Sequence, residues 1–236
     1  MWHRQKNLNQ NRVIIQMEIV PYKLGKLQGY RTHLNGVPLS RKPVEIERAV
    51  QQYEALQKNR TADEVKGYPL SEGDIKKMIP TLRIVSYPEL LKANHIDQVL
   101  DDKGRLMLLY LTESEMMGHW VCLLKRRGTK EIEYFDPYGN YRPDGESKWL
   151  TPQKLKELKQ NTFHLSKLLD SSPYKILSNA FPFQQDKSDM NTCGRHCTTR
   201  LYLKHLSLPQ YIKFVKSSGL KPDDFVSGFT YNLIGK

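Results

Sequence analysis

Three apolar runs of strand length stand close together in the middle of this chain. They are RLMLLYL from Arg105 to Leu111, GHWVCLLKR from Gly118, and EIEYFDPYG from Glu131. The last two flank the polar stretch RGTK with Gly128, so they read as a β-hairpin. The segments around them carry helix signals. PVEIERAVQQYEALQKN opens at Pro43 with a proline, places acids early and ends on lysine, as the helix dipole favours. In LSEGDIKKMI, Ser71 and Asp74 have capping-box spacing, and Pro80 follows as a stop. YPELLKANHIDQVL and TPQKLKELKQNTFHLSKLLD, the latter with Thr151 as cap and a proline next, predict two further helices. YKILSN suits a strand, CGRHCTTRLYLKHL a helix, LPQYIKFVKS another helix, and RVIIQMEIVPY near the N-terminus a strand. The order helix, strand, hairpin, helix, strand, helix predicts an α+β fold with a small sheet and helices packed on it. A break near VKGYPLS divides residues 1–67, a basic N-terminal extension packing on or preceding the core, from a domain over residues 68–236.

Composition narrows the function. The 236 residues carry three cysteines, Cys122, Cys193 and Cys197. An odd, sparse set is no disulfide framework and points to a reducing compartment. The N-terminus lacks the apolar stretch of a signal peptide, and no apolar run approaches the ~18 residues of a membrane span. The expectation is an intracellular protein, not secreted and without a membrane partner. The formal net charge is +12, and residues 1–66 hold 12 Lys/Arg against 6 Asp/Glu, so the excess is densest there. Two readings stay open: a solvated basic face, or contact with a polyanion such as nucleic acid.

The candidate chemistry centres on NTCGRHC, Asn191 to Cys197. A thiol at the start of a helix feels the positive end of the dipole, which favours the thiolate. Gly194 would let a substrate backbone approach, and the cysteine's own N–H would face a developing oxyanion. A metal reading is weak. Cys193, His196 and Cys197 on one helix converge poorly, and the chain has no C-x-x-C, so no metal ligand set is assigned. A nucleophilic cysteine needs a histidine to carry its proton and a third group to orient that histidine. His119 lies at the mouth of a predicted strand, and Asp136 lies at the exit of the next, so a hairpin makes them neighbours. Cys122 and Cys197 read as core. His164, His196 and His205 read as residues decorating helices.

GHW, then YFDPYG, then QQ shortly before TCG, in that order, resembles the adenain-like and Ulp1-like cysteine protease superfamily. The form NTCGRHC with FDPYG is most similar to capsid-maturation proteases of large DNA viruses, virophages and Polinton-like elements. The resemblance covers roughly residues 68 to 206. It implies a papain-like or Ulp1-like fold with a small mixed central sheet flanked by helices, carrying an N-terminal extension. It implies His119 as general base, Asp136 as its orienting acid, Cys193 as nucleophile, and an upstream glutamine as oxyanion donor. Gln185 is the first choice for that donor and Gln184 the second, both farther from the cysteine than in the family. Trp120 would wall a narrow groove, with Gly194 beside it. The implied activity is a thiol endopeptidase cleaving Gly-Gly-X or Gly-X-Gly sites in viral capsid or core precursors, in the virion and in the host cytoplasm or virus factory. No cofactor is required that the sequence shows. Activation by DNA or a peptide is left open, as is non-specific DNA contact through the basic surface, and the expected state is a monomer. Two alternatives stand beside this: a deconjugase for ubiquitin-like or SUMO-type modifiers, and a catalytically inactive, basic nucleic-acid-binding structural protein.

Overall fold

The structure, a computed structural model, describes residues 17–24, 27–34, 37–38, 43–59, 61–113, 117–139, 142–145 and 149–234. In chain order its strands are β1 (Met17–Leu24), β2 (Leu27–Leu34), β3 (Val37–Pro38), β4 (Ile84–Ser86), β5 (Arg105–Leu111), β6 (Gly118–Lys125), β7 (Glu131–Phe135) and β8 (Lys175–Ser178). The helices are α1 (Val44–Lys58), α2 (Ala62–Gly67), α3 (Glu72–Met78), α4 (Tyr87–Leu90), α5 (Pro152–Glu157), α6 (His164–Asp170), α7 (Cys193–Tyr202), α8 (Leu208–Lys216) and α9 (Pro222–Ile234).

Every residue of β5 is buried, and so is the whole of β6 between its two end residues. Runs buried on both faces belong at the centre of a sheet covered on both sides, and that is where they lie. The strand order is β4-β5-β6-β7-β8, with the β5–β6 and β6–β7 pairs antiparallel and the outer β4–β5 and β7–β8 pairs parallel. The predicted hairpin is β6–β7, turning through Gly128 at φ +78°. The fold is therefore α+β, a mixed five-stranded sheet flanked by helices. β1, β2 and β3 form a separate antiparallel sheet. The start of the predicted strand RVIIQMEIVPY, residues 12–16, lies outside the described residues.

Strand alternation sorts the core into two layers. Met107, Leu109, Trp120, Cys122, Leu124 and Phe135 face α1, α3, α7, α8 and α9. Leu106, Leu108, Tyr110, Val121, Leu123, Ile132 and Tyr134 face α4, α6 and the turn around Ile96. The Ser71–Asp74 capping box forms at the start of α3.

Two predicted helices are broken where their sequences suggest one run. YPELLKANHIDQVL makes one turn, α4, and then breaks. The Gln98 side chain accepts from the N–H groups of Asn94 and His95, starting a fresh 3-10 turn there. TPQKLKELKQNTFHLSKLLD splits into α5 and α6. Lys159 and Phe163 adopt left-handed backbone, at φ 55° and 51°, on either side of Gln160. That glutamine is drawn into the core, where its amide pairs with both the N–H and the carbonyl of Leu111 at 2.8 Å each. The tertiary bonds outweigh continued helix.

Helix α9 begins within the stretch KPDDF, at Pro222, and packs along α1. At Gly228 a Cβ would sit 2.2 Å from the Ala49 carbonyl oxygen, so the two backbones nearly touch. Among the described residues, no helix is long and apolar enough to cross a membrane.

Candidate active site

The β6–β7 hairpin builds one half of the site. His119 is the second residue of β6, and Asp136 follows directly on β7. The His119 Nε2 lies 2.8 Å from Asp136 Oδ1, with the two side chains 6 % and 0 % exposed. Continuing the register Cys122–Phe135 past the end of the ladder sets Tyr138 across from His119. Their rings stack at 4.7 Å. Asp136 Oδ1 also accepts the Tyr138 N–H at 2.9 Å, which fixes the turn after β7. Behind it, the Asn179 side chain grips the Asp136 main chain from both ends. Its Oδ1 accepts the Asp136 N–H at 2.9 Å, and its Nδ2 donates to the Asp136 carbonyl at 2.7 Å.

Helix α7 supplies the other half. Cys193 is its first residue and is partly exposed, while Gly194 to Leu201 are buried. The helix is anchored at its far end. Arg200 makes a two-pronged ion pair with Glu133 of β7, at 2.6 and 2.7 Å. In the middle, Cys197 donates to the Trp120 carbonyl at 3.3 Å, and Cys122 lies beside it. The thiol of Cys193 is thereby brought close enough to His119 for each group to shift the protonation of the other. Since Nε2 is engaged by Asp136, Nδ1 is the ring nitrogen left for the sulfur.

The electrostatics favour an ion pair. Burial pulls the His119 imidazole down, but the hydrogen bonds to Asp136 and Cys193 and their charges outweigh it and push its pKa up to about 10. Burial pushes the Cys193 thiol up, yet the net shift is downward. His119 lowers it by hydrogen bond and by charge, and the backbone groups of Trp120 and Gly194 add to this. Both shifts favour a thiolate beside an imidazolium, held by a carboxylate.

The sequence-predicted glutamines separate. Gln184 is 4 % exposed, and its Nε2 donates to the Tyr138 hydroxyl at 3.1 Å and to the Met190 carbonyl at 2.9 Å. Its backbone N–H and that of Phe183 both bind the Pro137 carbonyl, tying this loop to the turn after Asp136. Gln185, the first choice from sequence, is partly exposed, and its backbone N–H binds Asp223 at 3.0 Å. The structure thus turns the Gln184 side chain toward the ring stacked on His119.

Trp120 is 9 % exposed and donates its indole N–H to the Leu70 carbonyl at 3.2 Å. A Cβ on Gly194 would lie 3.1 Å from Leu70 Cβ and 3.2 Å from Trp120 Cδ1. The glycine therefore lets the start of α7 pack on Trp120 and Leu70. The side from which a Cβ would project is filled by the chain itself, not by an open groove.

His196 does not decorate a helix surface. It is fully buried, and its Nε2 meets Asp223 Oδ1 at 3.0 Å. With Cys197 on Trp120 and Cys193 on His119, the three candidate metal ligands of this stretch point to three different partners.

Sequence reasoning assigned no role to four residues that border the site. Tyr138 lies in the quoted YFDPYG and was legible as a neighbour of His119 from strand register. Trp149, 42 % exposed, sets its ring edge-on to His119 at 5.3 Å and to Tyr138 at 5.4 Å. Asn179 and Asp223 also lack a local signature.

The fold and site together define an α+β protein in which a cysteine stands beside a histidine that is hydrogen-bonded to an aspartate. No family model matches the sequence. Over 167 residues the chain is 38% identical to the uncharacterized protein V9 of Sputnik virophage, covering 68% of this chain and 93% of that protein. The chain belongs to the family of that virophage protein. Among solved structures, the SUMO protease Ulp1 with its catalytic cysteine oxidized to a sulfenic acid is similar at 14% identity and a TM-score of 0.36. It covers 82% of this chain and 96% of its own. The C-terminal Ulp1 protease domain in complex with Smt3, the yeast ortholog of SUMO, follows at 13% identity and a TM-score of 0.30, with 84% and 97% covered.

Proposed function

We propose that the protein is a cysteine endopeptidase. The observation that carries this reading is the position of His119, hydrogen-bonded to Asp136 and set beside Cys193, so that His119 and Cys193 shift each other's protonation. A depressed thiol beside a raised imidazole is the charge state that a thiol nucleophile needs. The Cys193 thiolate attacks a peptide carbonyl carbon, forming the S–C bond and a tetrahedral oxyanion. The C–N bond then breaks, and the leaving amine takes the proton from the His119 imidazolium. Water, giving its proton to His119, hydrolyses the thioester and restores the thiol pair.

The oxyanion would be met by the Cys193 backbone N–H, which as a first-turn helix donor has no acceptor within the helix. The second donor is assigned to Gln184 instead of Gln185. Its buried amide reaches Tyr138, and a substrate oxygen would replace the Tyr138 hydroxyl as acceptor. Trp120 sits behind the nucleophile, and Trp149 and Tyr138 cover His119. That aromatic enclosure is consistent with substrates having glycine next to the scissile bond, as in Gly-Gly-X or Gly-X-Gly. The virophage relative fits a viral setting, in which viral structural precursors are the substrates proposed. The basic excess is densest in residues 1–42, with 8 Lys/Arg against 1 Asp/Glu, and would serve a polyanion such as packaged DNA.

The test is incubation of the wild type and Cys193→Ala with the virus's own structural proteins, followed by mass spectrometry of new termini. New C-terminal glycines that require Cys193 are expected. Cleavage of a ubiquitin-like fusion but of no structural protein would favour a deconjugase. No thiol-dependent cleavage of either would leave a non-catalytic, nucleic-acid-binding protein.

A further inference from the structure

Residues 186–191, between Gln184–Gln185 and Thr192–Cys193, run over the surface with Met190 turned in. A loop of this kind does not by itself fix the distance between its ends, yet an oxyanion hole needs its two donors aimed at one point to within a fraction of an ångström. The bond from Gln184 to the Met190 carbonyl holds the path of the loop, and a tie from outside can fix its two ends.

Asp223 is placed to do so. It stands in the first turn of α9, 1 % exposed, and its carboxylate holds both ends of the loop. Oδ2 accepts the Gln185 backbone N–H at 3.0 Å, directly after Gln184. Oδ1 accepts the Thr192 hydroxyl, directly before Cys193, and the His196 Nε2–H at 3.0 Å, one turn further along α7. We propose that Asp223 is a positioning residue for the reaction, a brace that sets the Gln184 side chain against the Cys193 N–H so that both donors meet the same oxyanion. The inference rests on the protease reading above. Asp223 touches neither substrate nor sulfur.

A brace of the oxyanion hole and a mere support of the fold differ in what they change. Alkylation of Cys193 needs the thiolate, which His119 and Asp136 supply, and needs no oxyanion donor. Peptide cleavage needs both. In Asp223→Asn the volume is kept, but the amide Nδ2 cannot accept, so one arm is lost. Removing an oxyanion donor outright costs about 10²–10³ in kcat, so displacing one should lower kcat about 10- to 100-fold, with KM changed less than about threefold. Thr192→Val removes the hydroxyl arm alone and should lower kcat about 3- to 10-fold, while Thr192→Ser restores it.

The experiment measures kcat and KM on a fluorogenic Gly-Gly peptide amide, and the iodoacetamide rate at Cys193 across pH, for the full chain and these three variants. The expected result is a loss in kcat for Asp223→Asn and Thr192→Val, rescue by Thr192→Ser, and alkylation profiles that superimpose on the wild type. If kcat and alkylation fall together, or if kcat of both Asp223→Asn and Thr192→Val stays within twofold of the wild type, the brace is refuted and the protease reading stands. A wild type that is alkylated but cleaves nothing overturns both.

Discussion

Replacing Asp136 by asparagine tests the central electrostatic claim most directly. The carboxylate is fully buried, and its Oδ1 accepts from His119 Nε2 at 2.8 Å. That bond exists at full strength only while the imidazole is charged, so it stabilises the ion pair over the neutral thiol and imidazole. A hydrogen bond to a charged group contributes about 1.5–3 kcal/mol, and about 1.4 kcal/mol is a factor of ten. Asp136→Asn keeps the shape and the acceptor from Tyr138 but loses the charge. The fraction of Cys193 present as thiolate on the acid side should fall about 10- to 100-fold. The assay is the second-order rate of Cys193 with iodoacetamide from acid to alkaline pH, with Cys193→Ala as the blank. Cys122 and Cys197 are fully buried and should be silent in the native protein. In the wild type the acid limb should lie at lower pH than that of an ordinary thiol, since the thiol is shifted down and His119 stays charged until about pH 10. In Asp136→Asn the acid limb should move to higher pH and the two profiles should converge in alkali, where the free thiolate forms anyway. Profiles that superimpose over the whole range would refute the idea that Asp136 sustains the pair.

Other parts of the structure give equally direct expectations. Arg200→Ala leaves Glu133 charged and buried without its two-pronged partner, which should cost about 3–5 kcal/mol. At this chain length that is a fall in Tm of about 6–20 °C by circular dichroism. An unchanged melt would show the pair to be replaceable. Gly228→Ala puts a methyl 2.2 Å from the Ala49 carbonyl oxygen and must push α1 and α9 apart, for about 1–3 kcal/mol in urea unfolding. Burial pushes Asp223 up, but the bonds from His196, Thr192 and the Gln185 N–H win and hold it below the usual carboxylate range. It binds fewer protons folded than unfolded, so its stabilisation is present above about pH 4 and is lost as pH falls toward the depressed value. Acid unfolding of Asp223→Asn should accordingly show a smaller pH dependence below about pH 4 than the wild type.

What was legible in the sequence followed from local rules. The hairpin could be read because β6 and β7 are apolar runs flanking a polar turn, and a hairpin makes the start of one strand a neighbour of the end of the next. His119 and Asp136 were therefore paired without knowing the rest of the fold. Cys193 was legible as a helix start, and Ser71 with Asp74 as a capping box. Contacts made across long sequence distances were not. Gln160 leaves a helical run because Leu111, 49 residues away, offers two backbone groups. Gln185 and Gln184 are neighbours with the same side chain, and spacing to Cys193 cannot say which one turns inward. Asp223, 31 residues beyond Thr192, determines how that loop is held. Trp149 stands in a polar stretch, and nothing around it in sequence announces that its ring will reach His119.

The division of the chain near residue 67 illustrates the same limit, and it bears on how the basic N-terminal part can be tested. Composition changes there, but packing does not. Ile46 and Ala49 of α1 belong to the layer that also holds Trp120, Cys122 and Cys197, and Tyr53, Leu56, Ala62 and Val65 form a cluster beside it. Tyr53 and Lys66 both bind Asp224, the neighbour of Asp223 at the start of α9, and the Lys66 and Gly67 carbonyls accept from Asn191, two residues before the nucleophile. Burying Ile46, Tyr53, Leu56 and Val65 contributes roughly 1.5–3 kcal/mol each, about 6–12 kcal/mol in all. That is comparable to the whole stability of a domain, about 5–15 kcal/mol. Deletion of residues 1–67 should therefore unfold the protein, reduce the Cys193 alkylation profile to that of an ordinary thiol and expose Cys122 and Cys197 to the reagent, whatever those residues bind. Deletion of residues 1–42 removes 8 of the 37 Lys/Arg and leaves α1 in place. It should preserve the alkylation profile and the melt while weakening the salt-dependent retention of the protein on DNA. A folded, reactive protein after deletion of 1–67 would show that α1 and α2 are not part of the structure that holds the nucleophile.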